Sequence, residues 1–348
     1  MNNKLQQLDE VATPIKTVEG YSLMLNLGRI LGLCCAFWLA CLSPVCADTF
    51  YTAGVEGWLH NLQDYLNPHH LPHYQPTFST EPRVQVKEYI VGIHPLHNPK
   101  RLFEVYGPIV EHINQHMPEV EFKLEASRNY QEFDKKLYGG YFDIAMPNPY
   151  QTINALQHGY RVFGKMADDE DFRGIILVRK DSGINSVADL KGKAVSYPAK
   201  TALAATMMPQ YFLHTHGLDV NKDIENRYVG SQESSIMNVL MGDVAAAATW
   251  PVPWKLFLAE HPEQAAELEV KWQTEPLQNN GWVVRKDIPV EVIDNFSRLL
   301  FSLQDSDEGR AMLAAVPVSR FEVANNQTYA PVEAFLQRLN QTLHLPRP

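Results

Sequence analysis

The chain has 348 residues, 45% of them hydrophobic and 20% charged, long enough to build two lobes with cores of their own. The formal net charge is −10 at pH 7. Residues 1–47 are charge-balanced, so the acidic excess lies in 48–348, and the absence of any basic block excludes a nucleic-acid partner.

The stretch "MLNLGRILGLCCAFWLACLSPVCADTF" carries one arginine, an apolar run from Ile30 to Leu42, and the small-residue end Val45-Cys46-Ala47. It reads as a secretory signal peptide cleaved near Ala47-Asp48, which sends the mature chain to the periplasm. The mixed charge of the preceding 23 residues makes Met24 an alternative start, and an uncleaved membrane anchor is the other reading of the run. Cys34, Cys35, Cys41 and Cys46 all lie in this segment. The mature chain then has no disulfide, thiol nucleophile or cysteine metal site. Residues 48–83 form an extension and a proline-rich linker, in which His69, His70 and His73 read as solvated rather than metal-binding.

The regular part opens with "VQVKEYIVGIHP", alternating and then apolar, a strand entering a buried sheet. A helix follows with Leu102, Tyr106, Ile109, Ile113 and Met117 at helical spacing, kinked or started at Gly107-Pro108. His112 and His116 on it read as a wet face. Next come the strand "EVEFKLEA", the helix "NYQEFDKKLYGG", the buried strand "YFDIAMPNPY" with its Pro-Asn-Pro corner, and the helix "QTINALQHG". "YRVFGKMA" and "RGIILVRKD" are strands. This β-α-β alternation marks an α/β sheet covered by helices. A second unit repeats the pattern: "INSVADLKG" helix, "KAVSYP" strand, a helix over residues 200–216, "ENRYVG" strand, "SQESSIMNVLMG" helix, "DVAAAATW" strand and "WKLFLAEHPEQAAEL" helix. "LEVKWQT" and "GWVVRKD" are strands, and two helices, "VEVIDNFSRLLFSLQD" and "YAPVEAFLQRLNQTL", close the chain. The paired phrases "GIILVRKDSGI" and "GWVVRKDIP" bracket the second unit and place the crossings between lobes there. The expected domains are 84–172 for the first part of lobe one, 173–280 for lobe two and 281–348 for the return, with the ligand in the cleft at the carboxyl ends of strands.

The segments "YGPIVEHIN", "LYGGYFDIAMPNPYQTINA", "SVADLKGKAVSYP" and "YVGSQESSIMNVLMGDVAAAATW" together resemble, in order and spacing, the phosphonate-type substrate-binding proteins of ABC importers, a type II periplasmic binding protein fold. The resemblance covers Val84 to Tyr329. It implies two lobes, each a mixed, mostly parallel sheet flanked by helices, closing on a small anionic ligand that is delivered to a membrane permease. The family holds its oxyanion with a Ser-Thr-Ser-Gly helix start in lobe two. Here those places are Ala202, Leu203, Ala204 and Ala205, so the hydroxyls are gone. If the helix mouth still binds an anion, Lys200 and Thr201 beside them would supply a charge and one hydroxyl; if it does not, the alanines leave a smooth wall for a less polar ligand.

Other candidates come from strand ends. His94 ends the first strand. Asn148, Pro149 and Tyr150 form the lobe-one corner, where an amide donates and accepts and a phenol stacks and donates. Ser231, Gln232 and Glu233 open a helix, and Glu233 offers a carboxylate to a cationic substituent. Trp250, with Trp254, offers an aromatic wall. No serine-hydrolase, zinc-protease, P-loop or dinucleotide motif is present, so no enzymatic activity and no cofactor or metal is expected. The functional expectation is a monomeric periplasmic binder feeding an ABC permease. A module presenting its ligand to a membrane sensor is the alternative, and an exported enzyme on the same fold is the third reading.

Overall fold

The computed structural model describes residues 86–343; the signal segment, its cysteines and the linker histidines lie outside the described residues. Two sheets organise the chain. The first has the order β11-β4-β10-β3-β1-β2, with β1 Lys87–Ile93, β2 Val120–Ala126, β3 Ile144–Met146, β4 Tyr160–Met166, β10 Gly281–Arg285 and β11 Phe321–Val323. The second has the order β7-β6-β8-β5-β9, with β5 Ile175–Arg179, β6 Ala194–Tyr197, β7 Glu225–Tyr228, β8 Ala246–Thr249 and β9 Leu268–Gln273.

Both sheets are mixed, with most strands in each pointing one way. β1 runs parallel to β2 and β3, and β6 parallel to β7 and β8, through helical crossovers. The strands that carry the chain between lobes run the other way. β10 returns antiparallel between β3 and β4, and β5 enters antiparallel to β8 and β9.

Helix α1 (Pro99–His116) shows how sequence sets an element here. Asn98 caps it by accepting from the Arg101 N–H at 3.0 Å, Pro99 occupies its first turn, and Leu102, Val105, Tyr106, Ile109, Val110 and Ile113 form its buried stripe. Its start is therefore Pro99, and Pro108 lies inside it. α2 (Tyr130–Tyr138) and α3 (Pro149–Gln157) follow, each capped by an asparagine, Asn129 and Asn148. In the second lobe the predicted 200–216 helix begins later, at Leu203. Its first turn, Leu203–Met207, is a π turn that runs into α4 (Met208–Thr215). α5 (Gln232–Leu240) and α6 (Pro251–Glu260) cover the other face. Pro262 separates α6 from a single further turn, α7 (Pro262–Ala265). The last segment holds α8 (Val290–Phe301), α9 (Asp307–Ala315) and α10 (Ala330–Leu343). α9 and the three-residue β11 were not expected from the sequence; α9 buries only Gly309 and Leu313 and so shows no apolar stripe.

The chain crosses between the sheets at 167–174 and 274–280, just before the two Arg-Lys-Asp phrases, which instead end β5 and β10. Each terminal arginine is held locally, Arg179 on Asp181 and Arg285 on Asp287. The two crossing segments pair with each other. Thr274 N–H donates to the Gly174 carbonyl at 2.9 Å, Gly174 N–H to Thr274 Oγ1 at 2.9 Å, and Leu277 N–H to the Phe172 carbonyl at 3.0 Å. Buried Lys165 braces the first crossing, with its ammonium 2.8 Å from Asp169 Oδ1 and 2.8 Å from Glu322 Oε1.

One core cluster, with Tyr89, Ile109, Trp282 and Phe296, fills one face of the first sheet; another, with Ile175, Ile236 and Trp254, fills one face of the second. The third joins the lobes, running from Phe133 and Tyr160 through Ala202–Ala205 to Val332, Phe335 and Leu339 of α10.

Candidate functional site

The carboxyl ends of β1 and β3 in one lobe meet the start of the Leu203 helix and of α5 in the other. Between them lies a small, half-open pocket of about 10 Å³, lined by His94, Tyr130, Asn148, Ala202–Ala205, Gln232, Trp250 and Asn280, together with Phe172. All four positions at the helix mouth therefore face it.

The π turn shapes that mouth. The Ala202 carbonyl accepts from both Thr206 N–H (2.9 Å) and Met207 N–H (3.2 Å), and Thr206 Oγ1 donates back to the Ala199 carbonyl at 2.8 Å. The N–H groups of Leu203, Ala204 and Ala205 precede the first intrahelical bond and have no partner among the described residues. Three unpaired donors at the positive end of a helix are an oxyanion cradle that needs no hydroxyl. Alanine side chains let a ligand approach those N–H groups closely. Gly174 packs behind them, where an added Cβ would stand 2.6 Å from the Ala204 carbonyl oxygen.

Lobe one supplies the opposing groups. His94 is 2% exposed, and its Nδ1 donates to the Met146 carbonyl at 2.9 Å. Burial holds its pKa down to about 4, so the ring is neutral at physiological pH. Tyr130 closes on it edge-on, with ring centroids 6.1 Å apart. Asn148 is committed twice. Its Oδ1 caps α3 by accepting from Gln151 N–H at 3.1 Å, and its Nδ2 crosses the cleft to the Thr201 carbonyl at 2.9 Å. Thr201 Oγ1 crosses the other way to Asp134 Oδ2 at 3.2 Å, and Gln151 Nε2 donates to Asp134 Oδ1 at 2.6 Å. Burial raises the Asp134 pKa to about 6 despite these bonds. A third cross-lobe bond runs from Gln232 Nε2 to Tyr130 OH at 3.3 Å, while Thr249 Oγ1 fixes the Gln232 Oε1 at 2.9 Å. Trp250 stands against Phe172, centroids 5.6 Å apart, as an aromatic wall from the second lobe.

Several expected residues fall elsewhere. Lys200 is exposed and its ammonium lies 5.4 Å from the centre of the Tyr228 ring, outside the cavity lining. The chain turns at residues 200–201 before the helix begins, and that turn points the lysine outward. Pro149 and Tyr150 set the first turn of α3 and pack inward without lining the cavity. Trp254 belongs to the second lobe's core, stacked on Phe257 at 5.8 Å. Ser231 and Glu233 line a different space, a chamber of about 270 Å³ between α1, α5 and α6. Arg101 Nη2 and Glu260 Oε1 meet across it at 3.2 Å, and Gln232 borders both spaces. The chamber is the larger, but its charges are of mixed sign and largely paired. The unpaired donors are in the small cavity, which makes the small cavity the candidate oxyanion site.

Tyr130, Phe172 and Asn280 were not foreseen. Asn279-Asn280, a polar doublet immediately before an apolar strand, was the available signal for the last of these.

Residues 91–329 match the family described as ABC transporter, phosphonate, periplasmic substrate-binding protein. The chain belongs to this family. A curated member, the probable ABC transporter phosphite binding protein PhnD1 of Prochlorococcus marinus (strain MIT 9301), is 23% identical over 204 residues, covering 55% of this chain and 67% of that protein. The solved structure of PhnD1 with methylphosphonate superposes at a TM-score of 0.68 with 20% identity, over 73% of this chain and 99% of the other. The binding-protein component of an ABC phosphonate transporter from Pseudomonas aeruginosa superposes at 0.67 with 18% identity, over 74% and 87%. The alkanesulfonate-binding protein SsuA of Xanthomonas axonopodis pv. citri, bound to MOPS, superposes at 0.57 with 17% identity, over 77% and 96%. The α/β two-lobe architecture is that of type II periplasmic binding proteins, and the phosphonate-family chain is a periplasmic ligand-binding component of an ABC importer.

Proposed function

We propose that the chain captures a small phosphonate-like oxyanion between its lobes and releases it unchanged to an ABC permease. The supporting observation is the helix mouth at Leu203–Ala205, three residues whose N–H groups have no partner among the described residues and which line a small pocket together with His94 and Asn148. Backbone donors at a helix start replace the hydroxyls that other members of the family use. Closure then rests on the Asn148–Thr201–Asp134 and Gln232–Tyr130 bonds, which join the lobes only when they meet. A ligand contacting both lobes shifts the population toward that arrangement by its differential affinity. Among the described residues no cluster of three or more His, Cys, Asp or Glu is placed to hold a metal ion.

Calorimetry and thermal unfolding with phosphite, methylphosphonate and inorganic phosphate test the reading. A ligand at about 100 times its Kd adds about 2.7 kcal/mol to stability, a readily measured rise in Tm. Small-angle scattering with saturating ligand is expected to give a smaller radius of gyration than without it. No change in Tm, heat or radius with any of the three overturns the reading, as does recovery of a chemically altered ligand.

A further inference from the structure

A half-buried carboxylate, Asp134 of α2, sits at the seam between the lobes and belongs to a closed circuit of hydrogen bonds. Gln151 Nε2 donates to its Oδ1 at 2.6 Å, and Thr201 Oγ1 donates to its Oδ2 at 3.2 Å. Gln151 is tied to Asn148 in both directions. Asn148 N–H donates to Gln151 Oε1 at 2.9 Å, and Gln151 N–H donates to Asn148 Oδ1 at 3.1 Å. Asn148 Nδ2 then crosses to the Thr201 carbonyl at 2.9 Å and completes the ring. Asn148 lines the pocket, and so does Ala202, the residue after Thr201. Of the four members only Thr201 comes from the second lobe, so the ring exists only when the lobes meet.

No cation compensates this carboxylate among the described residues. Its two donors are a neutral amide and a neutral hydroxyl. The charges nearby on α2 are spent elsewhere, Lys136 on Glu125 and Glu132, and Arg128 on Glu132, while Lys135 is exposed. Lys200, next to Thr201, lies over the Tyr228 ring. The titratable groups that face Asp134 are phenols, Tyr130 and Tyr138 of its own helix and Tyr150 of α3, and burial raises the pKa of each, so all three stay neutral. His158 stands against the Tyr138 ring, centroids 4.8 Å apart, and His94 against Tyr130. A charge shut into this seam loses hydration for little return. A protonated carboxyl keeps both bonds, because the Thr201 hydroxyl can accept as well as donate. Resting on the oxyanion reading above, we propose that Asp134 is a positioning residue that links capture to proton uptake: closing the lobes on a ligand draws a proton into the seam, so capture tightens in acid and release is eased as pH rises. With the seam closed the Asp134 pKa stands at about 6, and parting the lobes returns water to the group and lets it fall toward the ordinary 3.8. The closed state thus binds this proton more tightly than the open one, and its advantage is full below pH 3.8 and lost as pH rises through about 6.

Calorimetry with methylphosphonate on the full chain at pH 5 and pH 8, wild type beside Asp134→Asn, tests the link, because the ratio between the two proteins cancels the ligand's own ionisation. The asparagine keeps the circuit as the protonated acid does, its Oδ1 accepting from Gln151 and its Nδ2 donating to Thr201. Between pH 5 and pH 8 the wild type should lose up to about tenfold more affinity than Asp134→Asn. A residue that served folding alone would shift Tm and leave the pH profile of affinity unmoved. NMR of wild-type chain labelled with carbon-13 at the aspartate carboxyls needs no variant. The Asp134 carboxyl should titrate near pH 6 with methylphosphonate bound and about one pH unit or more lower without it. Parallel pH profiles for wild type and Asp134→Asn, or an Asp134 titration that the ligand does not move, overturn the proposal and leave the oxyanion reading intact. If none of methylphosphonate, phosphite and inorganic phosphate binds at millimolar concentration, the oxyanion reading falls and the proposal with it.

Discussion

At the helix mouth, Lys200 and Ala202 are two residues apart in sequence and point to different places. The lysine covers the Tyr228 ring at the surface, whereas the alanine lines the cavity. Lys200→Ala should therefore change oxyanion affinity by less than about twofold, since an exposed charge beyond the first solvent layer is largely screened; calorimetry on that variant is the check. The burial of Asp134 makes a pH-dependent expectation. Its folded pKa of about 6 lies above the ordinary carboxylate value of 3.8. The folded state thus binds the proton more tightly, and the contribution to stability is full below pH 3.8 and lost as pH rises through about 6. Asp134→Asn removes the cost of the buried charge, on the order of 2–3 kcal/mol at most. Its Tm should exceed wild type at pH 8 by more than it does at pH 4, and a constant difference would refute this account. The sequence made His94, Asn148, Gln232, Ala202 and Trp250 legible because each closes or opens an element at a strand end. It did not reveal that Asn148 and Thr201 bond to each other, nor that Asp134 bonds Thr201 from the same lobe as Asn148. Those depend on how two distant segments meet, and no local pattern records it.

Among the elements, the π turn and the crossing strand behind it form one unit. Gly174 lies so close to the Ala204 carbonyl and the Pro209 ring, 2.6 and 2.7 Å from an added Cβ, that the strand and the turn share one van der Waals surface. Gly174→Ala must push the turn toward the cavity or the strand away from it. The expected cost is about 1–3 kcal/mol in stability, seen in denaturant unfolding, together with weaker oxyanion binding because the three N–H groups lose alignment. Gly217 closes α4 at φ +93, where a side chain would be strained. Alternation and helical spacing marked nearly every long element of the described chain. They failed for α9, which buries only Gly309 and Leu313 and so has no apolar stripe, for the edge strand β11, and for the late start of the Leu203 helix, whose π turn breaks the helical spacing.

For the whole molecule, the open and closed arrangements differ by the few bonds that cross the cleft. The Arg101–Glu260 pair is half exposed at its acidic end and is worth roughly 0–1 kcal/mol. Glu260→Gln should raise the ligand Kd by up to about fivefold through faster dissociation, which stopped-flow displacement would resolve from a change in association rate. The last helix carries a different consequence. α10 packs on α3 of the first lobe and on α4 of the second, with Phe335 edge-on to Tyr211 at 5.4 Å and the Leu343 carbonyl accepting from Asn221 Nδ2 at 3.3 Å. The two lobes are thus tied at a third place, by a ring contact and one hydrogen bond. For anyone turning this protein into an optical biosensor, the informative position is therefore not the cleft mouth. It is the seam between Tyr211 and Phe335, neither of which lines the pocket, where a polarity-sensitive dye would register bending without touching the ligand.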